Sequence, residues 1–559
     1  MSKKILSIVL CLAMLISLAA CGGNKEKSSD TSKDVTTGNT DVTENNSKEN
    51  DVAAEPFGKY ETPIELTAVR YLSDGIEFAE GESIENNVWS RAYEEDLGIK
   101  LKYLWTTPQS QYTQKLNVSI VTEVPDLMWV DAAQLKRMIE DDMLADLTDV
   151  YDAYKADFTD KVLHDDGGSA MQSATFNGKL YALPHIQSGY GSAEVLWIRT
   201  DWLSKLGLSE PKTMQDVLTI ARAFATKDPD GNGKADTYGL AINKGLLANN
   251  NLPFAVLDGF FNSYHAYPTI WVKDLAYGGI QPEMKNALLE LQSLYKEGVI
   301  DMEFGVKDAS KVSEDVNAGK AGMLYGYFWN SGWLQDGVIN DSEADWKAFP
   351  ILSADDQAAK VMIPFATTLY TVVSKECKNP EAAVKMYNLV LEKNFGETAE
   401  PSVYNVTKDN VAVFNYPFSY GEPPMKNLDA QTKVAKALDS GDTSELNAEE
   451  MGYYTNCKAY LDGDVNYWGN YNMYGTNGSL SVINNYIASG NTVADEFFGA
   501  PTDGMAEKNA TLEKLQLETF TKIITGNADI NEYDTYVQNW LDLGGKQITD
   551  EVNQWFSER

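Results

Sequence analysis

Positive charge is in short supply in this 559-residue chain, where 46 Lys and Arg stand against 82 Asp and Glu for a formal net charge of −36. Such an excess of carboxylate repels phosphate backbones, which excludes nucleic acid as a partner. It also denies the chain a polybasic route to anionic lipid, so any membrane attachment has to be covalent or hydrophobic. Histidine is scarcer still: His164, His185 and His265 are the whole complement, and none stands at metal-ligand spacing from another. GxSxG elbows, Walker loops and dinucleotide fingerprints are all missing. Cysteine numbers four, of which only Cys377 and Cys457 lie beyond residue 21. That is no disulfide framework, and whether the two pair is open. The apolar run at 5–18 falls short of the roughly 20 residues a spanning helix wants. No fixed-period repeat is visible, which disfavours solenoids and propellers.

What is present fits a globular protein, with 43% hydrophobic and 23% charged residues. The length suffices for three to four domains of about 150 residues, or for two large α/β lobes. At the start, Lys3 and Lys4 precede the apolar run like the charged region of an export signal. Leu18-Ala19-Ala20-Cys21 resembles the lipobox of bacterial lipoproteins, and an ordinary secretory peptide with an incidental cysteine is the alternative. The resemblance implies a signal peptide at 1–20 and a lipidated Cys21, where two acyl chains meet the double requirement for stable anchoring. Residues 21–56 are Ser, Thr, Asn, Lys, Asp and Glu with almost no large apolar side chain, the composition of a tether reaching roughly 30 Å.

Beyond residue 57, short apolar runs alternate with longer amphipathic stretches. The runs IELTAVR (64–70), IKLKYLW (99–105), DLMWV (126–130), VLWI (195–198), TYGLAI (237–242), GMLYGYF (322–328) and LYTVVS (369–374) read as strands. Helical patterns intervene, near 111–121 and 132–141 for example, and this alternation predicts an α/β fold of parallel sheets covered by helices.

The segments PDLMWV (125–130), LADLTDVYDAY (144–154), FNGKLYALP (176–184), LWIRTDWLSKLGL (196–208), DPDGNGKADTYG (228–239) and VNAGKAGML (316–324), with the run 523–556, together resemble one family. It is the extracellular solute-binding lipoproteins of bacterial carbohydrate ABC importers, specifically the large Gram-positive oligosaccharide type. The resemblance covers essentially the whole folded region. It implies a two-lobe periplasmic-binding-protein-like fold with a ligand cleft, the first lobe at about 57–180 plus 318–375 and the second at about 181–317 plus 376–559. It further implies a monomeric, non-enzymatic binding protein on the outer face of the membrane, delivering a carbohydrate to ABC permease subunits. Two other readings stay open from the residues alone. A glycosidase is one, because catalytic carboxylate pairs are defined by separation in space; a calcium-stabilised surface adhesin is the other.

Asp228, Asp230, Asn232, Lys234 and Asp236 fall at positions 1, 3, 5, 7 and 9 of an EF-hand-like loop with Gly233 at position 6, which points to structural Ca2+. Lys234 would offer only its carbonyl. Position 12, normally Glu, is Gly239, so the ligand set is incomplete; a metal-free Asx turn is the alternative.

Aromatic residues with a hydrogen-bonding edge are plentiful, with 30 Tyr and 12 Trp against 19 Phe. A sugar wants an aromatic face for its C–H surface and polar partners for its hydroxyls. Candidate ligand contacts are Trp329, Trp333 and Tyr327 after the GMLYGYF strand, and Trp468, Tyr467 and Tyr471 in an Asn- and Tyr-rich segment. Trp129 and Trp271 complete the set. Core packing is the competing explanation for each.

Overall fold

The computed structural model describes residues 55–73, 76–248, 254–272, 276–407 and 411–558. The expected signal peptide, Cys21 and nearly all of the tether lie outside the described residues. Two sheets are built from Ile64–Leu72 (β1), Ile99–Pro108 (β2), Leu127–Val130 (β3), Ala182–Pro184 (β4), Val195–Arg199 (β5), Phe254–Val256 (β6), Met323–Gly326 (β7), Trp346–Phe349 (β8) and Tyr370–Val373 (β9). Helices packed around them include Ala132–Glu140 (α1), Met214–Thr226 (α2), Asn330–Asn340 (α3), Glu381–Phe395 (α4), Trp468–Tyr474 (α5), Asp503–Ile524 (α6) and Lys546–Ser557 (α7).

The first sheet runs β2-β1-β3-β9-β4. β1 pairs in parallel with both β2 and β3, while β9 lies antiparallel to β3 and β4. Every residue of β3 and β9 is buried, as befits central strands covered on both faces. α1 starts directly after β3 because Asp131 caps it: its carboxylate accepts from the Gln134 N–H at 2.8 Å, and Gln134 returns the bond to the Asp131 N–H. α4 is buried on nearly all sides. Its Lys385 donates to the Gly58 carbonyl at 2.7 Å and lies against the rings of Tyr60 and Tyr154, anchoring the start of the described chain.

The second sheet runs β8-β5-β7-β6, and all its pairings are antiparallel. This corrects the expectation of parallel strands throughout. β5 and β6, joined through Thr200–Leu206 and α2, point the same way but are not neighbours: β7 lies between them, antiparallel to both, and β8 pairs antiparallel with β5 on its other edge. TYGLAI forms only single bridges, Tyr238 to Ala321 and Leu240 to Ile300. It runs so close to α2 that a Cβ on Gly239 would meet the Ala221 carbonyl oxygen at 2.1 Å, which leaves no room for a paired strand on that side.

Each sheet sits in its own hydrophobic core, one from residues 60–186 and 370–418, the other from 193–363 and 428–552. The chain crosses between them near 187–192, 364–369 and 419–425. Lobe membership therefore differs from the expected division. Residues 318–363 belong to the second lobe, because β7 and β8 flank β5, and 376–418 belong to the first, because α4 fills its core. Hydrogen bonds from the Glu422 N–H to the Ile186 carbonyl (3.1 Å) and from Ser188 Oγ to the Pro424 carbonyl (2.5 Å) tie two crossings together. Cys377 and Cys457 are free thiols in different lobes, and burial pushes both up to about 12.

Candidate functional site

A cavity of about 730 Å3 lies between the lobes and is walled by both. On the first lobe, α1 contributes Lys136, and the hairpin of Thr175–Phe176 with Lys179–Leu180 contributes Phe176 and Asn177. Asn177 (φ 51°) and Gly178 (φ 75°) form the hairpin's two-residue turn, where left-handed backbone favours the Asn-Gly pair. On the second lobe, segment 499–503 and α7 supply Asp503, Glu551 and Trp555. Trp555 is half-buried and held edge-on by Phe497 (4.8 Å) and Phe498 (5.2 Å). Gly499 permits this, since a Cβ there would stand 2.5 Å from the indole nitrogen. Each wall thus offers one aromatic ring, Phe176 and Trp555.

An ion pair links the two walls, with Lys136 Nζ 2.9 Å from Asp503 Oδ1. Among the described residues it is the only ion pair between the two cores. Around it the second wall is internally satisfied: Glu551 accepts from the Gly504 N–H at 2.9 Å, and Thr502 Oγ1 from the Met505 N–H at 3.2 Å. Burial pushes the Glu551 carboxyl up, but hydrogen bonding from the side chains of Thr502 and Gln547 and from the Gly504 N–H outweighs it and holds the carboxyl below its ordinary range. A smaller cavity of about 130 Å3 lies at the crossings, with Tyr190, Phe365 and Phe498 in its wall.

The sequence candidates fall elsewhere. Trp468, 1% exposed, is a core residue of the second lobe, and its indole nitrogen has no hydrogen-bond partner. This corrects its expected place in the cleft, because α5 packs against α3 with the indole inward. Trp129 is buried under the Arg70 guanidinium, 3.9 Å from its ring, and donates to the Phe418 carbonyl at 2.6 Å. Trp271 is buried beside Phe497, so it braces the wall behind Trp555 without lining the cavity. Tyr327 is buried and stacks on half-buried Trp329 at 4.6 Å, just beyond β7. Trp333 stacks on Phe254 and lines a separate groove of about 590 Å3 on the second lobe alone. Tyr467 and Tyr471 are half-buried, the latter against Tyr460. Trp555 and Phe176 were missed although both lie within the segments that carry the family resemblance; the Phe497-Phe498-Gly499 run, two rings followed by a residue without a side chain, was the available signal.

The acidic loop is folded around Asn232. Its amide donates to Asp230 Oδ2 (2.5 Å) and Asp236 Oδ1 (3.1 Å), while Asp228 Oδ2 accepts from the Gly233 N–H. Asp228 Oδ1 is buried with no hydrogen-bond partner. The Asp230 carboxyl is raised, first by burial and then by Asp228 and Asp236 beside it. Among the described residues, no three acidic, imidazole or thiol groups are drawn together closely enough to hold a metal ion. No helix among them is long and apolar enough to cross a membrane.

With the geometry in place, comparison with known proteins is informative. Residues 75–393 match the family described as bacterial extracellular solute-binding protein. Lipoprotein LipO of Bacillus subtilis is 24% identical over 83% of this chain and 88% of its own length. The polygalacturonan/rhamnogalacturonan-binding protein YtcQ of the same organism is 24% identical over 69% of this chain and 72% of its own. Among solved structures, an EF-hand mutant of FusA, an ABC-transporter substrate-binding protein of Streptococcus pneumoniae, in complex with fructo-nystose has a TM-score of 0.59 at 15% identity, covering 89% of this chain and 99% of that one. At that identity the likeness shows the fold. Since the family match spans more than half of the residues, the chain belongs to the bacterial extracellular solute-binding proteins.

Proposed function

We propose that this protein binds an oligosaccharide between its lobes and delivers it to an ABC permease, with the lipid on Cys21 holding it at the outer face of the membrane. The observation that carries the reading is the interlobe cavity of about 730 Å3, large enough for several sugar rings and faced by an aromatic side chain from each lobe. A pyranose or furanose packs its C–H surface on such a ring, and the amides of Gln172, Asn177 and Gln554 stand in the same walls to meet hydroxyls. Ligand contacts thus fall to Trp555 and Phe176. Fructo-nystose on FusA and the polysaccharides that YtcQ is named for make carbohydrate the class to test. No chemistry on the ligand is required. Closure follows from contacts made with both walls at once.

We also propose structural calcium at the 228–236 loop. The buried, unpartnered Asp228 Oδ1 and the raised Asp230 carboxyl are what a cation would relieve. Asp228, Asp230, Asn232 and Asp236 would hold it with the Lys234 carbonyl, and the FusA structure's EF-hand mutation fits such a loop in a relative.

A thermal-shift screen against oligosaccharides, monosaccharides, peptides and amino acids tests the reading. Ligand at about 100 times Kd stabilises by about 2.7 kcal/mol, a shift of a few degrees. A glycan recovered intact after binding supports it. A peptide or amino-acid hit alone overturns the carbohydrate assignment, and glycan turnover overturns the binding-only role.

A further inference from the structure

The cavity has two features that would attract an anion, and the protein fills both itself. Lys136 is the one cation among the described residues lining it, and Asp503 holds that ammonium at 2.9 Å. The N-terminus of α6 is the other, because free N–H groups and the helix dipole favour negative charge there. Its Gly504 N–H is taken by Glu551 and its Met505 N–H by Thr502. Together with Glu558, the pairing acids Asp503 and Glu551 give the second wall three carboxylates. An incoming carboxylate would meet no unclaimed cation and would have to displace Asp503 while lying near two further acids.

Resting on the carbohydrate reading, we infer that the cavity selects uncharged glycans over uronates, and that Asp503 sets this preference by occupying Lys136. The inference separates this chain from YtcQ, whose named polysaccharides are acidic, although the two share 24% identity. It also assigns Lys136 a double part, pairing the lobes and forming the one place where an anionic ligand could be accepted after a single substitution. Asp503 is 88% exposed in its side chain, so Asp503→Asn removes charge without opening the core.

The test titrates the full-length protein calorimetrically with neutral gluco-, manno- and fructo-tetrasaccharides and with tetragalacturonate, then repeats the titrations on Asp503→Asn after confirming an unchanged melting temperature. In the parent, the tightest neutral glycan binds at least about tenfold more tightly than the uronate, a gap of about 1.4 kcal/mol. In Asp503→Asn, the ratio of uronate to neutral affinity rises by about three- to tenfold, and raising the salt concentration reverses the gain, as expected of a freed surface charge. Tighter binding of the uronate by the parent, or an unchanged ratio in the variant, overturns the inference and leaves the carbohydrate reading standing. Binding of no glycan alongside a peptide hit overturns both.

Discussion

Gly499→Ala places one methyl group where the structure has no room for it. The new Cβ would lie 2.5 Å from the Trp555 indole nitrogen, 2.8 Å from Cε2 and 3.1 Å from a Phe497 ring carbon. Non-bonded carbon contacts settle at about 3.5–4.0 Å, so the indole has to move by about 1 Å. Phe497 is buried and blocks retreat into the core, which leaves a swing into the cavity. Because Trp555 is half-exposed, stability should fall by only the lower part of the usual overpacking range, about 1 kcal/mol. Glycan affinity should fall about tenfold, or about 1.4 kcal/mol. Calorimetry on Gly499→Ala, Trp555→Ala and the double variant separates the causes. If Gly499 acts through the indole, its effect disappears in the Trp555→Ala background, a coupling of about the same 1.4 kcal/mol. Parental affinity in both single variants would mean that the ligand does not use this wall, and the site would have to be sought near Trp329.

Trp468→Ala should cost about 3–5 kcal/mol of stability from the cavity left in the second core, measured by denaturant unfolding, with glycan affinity preserved in the folded fraction. Chelation should lower the melting temperature of the parent but not of Asp230→Asn; equal melting of parent with and without chelator would remove calcium. Buried Asp258 is pushed up to about 7 and its neighbour Glu194 well above its ordinary value, both chiefly by desolvation. A carboxyl whose folded pKa is raised binds its proton in the folded state but not in the unfolded one. Stability should therefore fall by about 1.4 kcal/mol per pH unit per group as pH rises from about 4.5 towards 7. Glu194→Gln should flatten that slope, because it removes one of the two titrating carboxyls while its amide oxygen can still accept from the Gly259 N–H; an equal slope in the variant would place the proton elsewhere.

The order of strands and helices in the first lobe was legible because period-2 and period-3.6 patterns report burial directly. Strand direction in the second lobe was not, since it follows from which strands become neighbours, and periodicity does not report that β7 inserts between β5 and β6. Lobe membership was hidden for a related reason: only long-range pairing with β5 assigns β7 and β8 to the second lobe. The Tyr- and Asn-rich segment misled because its rings serve helix packing, as in the Tyr453–Tyr474 stack at 3.9 Å and Tyr460 against Tyr471. Trp555, one of a Trp-Phe pair in an otherwise polar stretch, becomes conspicuous only once Phe497 and Phe498 are seen to hold it.

What the lobes do for each other without ligand is modest, and this bears on how binding is signalled. The Lys136–Asp503 pair has side chains 34% and 88% exposed, and exposed pairs contribute about 0–1 kcal/mol. Such a latch cannot hold the lobes closed by itself. Converting an equilibrium from about 1:99 to 99:1 takes about 5.5 kcal/mol of preference for one state. At about 25 cal/mol per Å2 that is roughly 220 Å2 of apolar surface covered only on closing. Phe176 is already half-buried, so covering it supplies only part of that area, and a glycan resting on Trp555 gains the remainder from the other groups of the first wall that it covers on closing. The two rings are then worth more together than apart: removing either should leave a ligand that binds one lobe and fails to close the other, which small-angle scattering of the Phe176→Ala protein with saturating glycan would register as an open molecule.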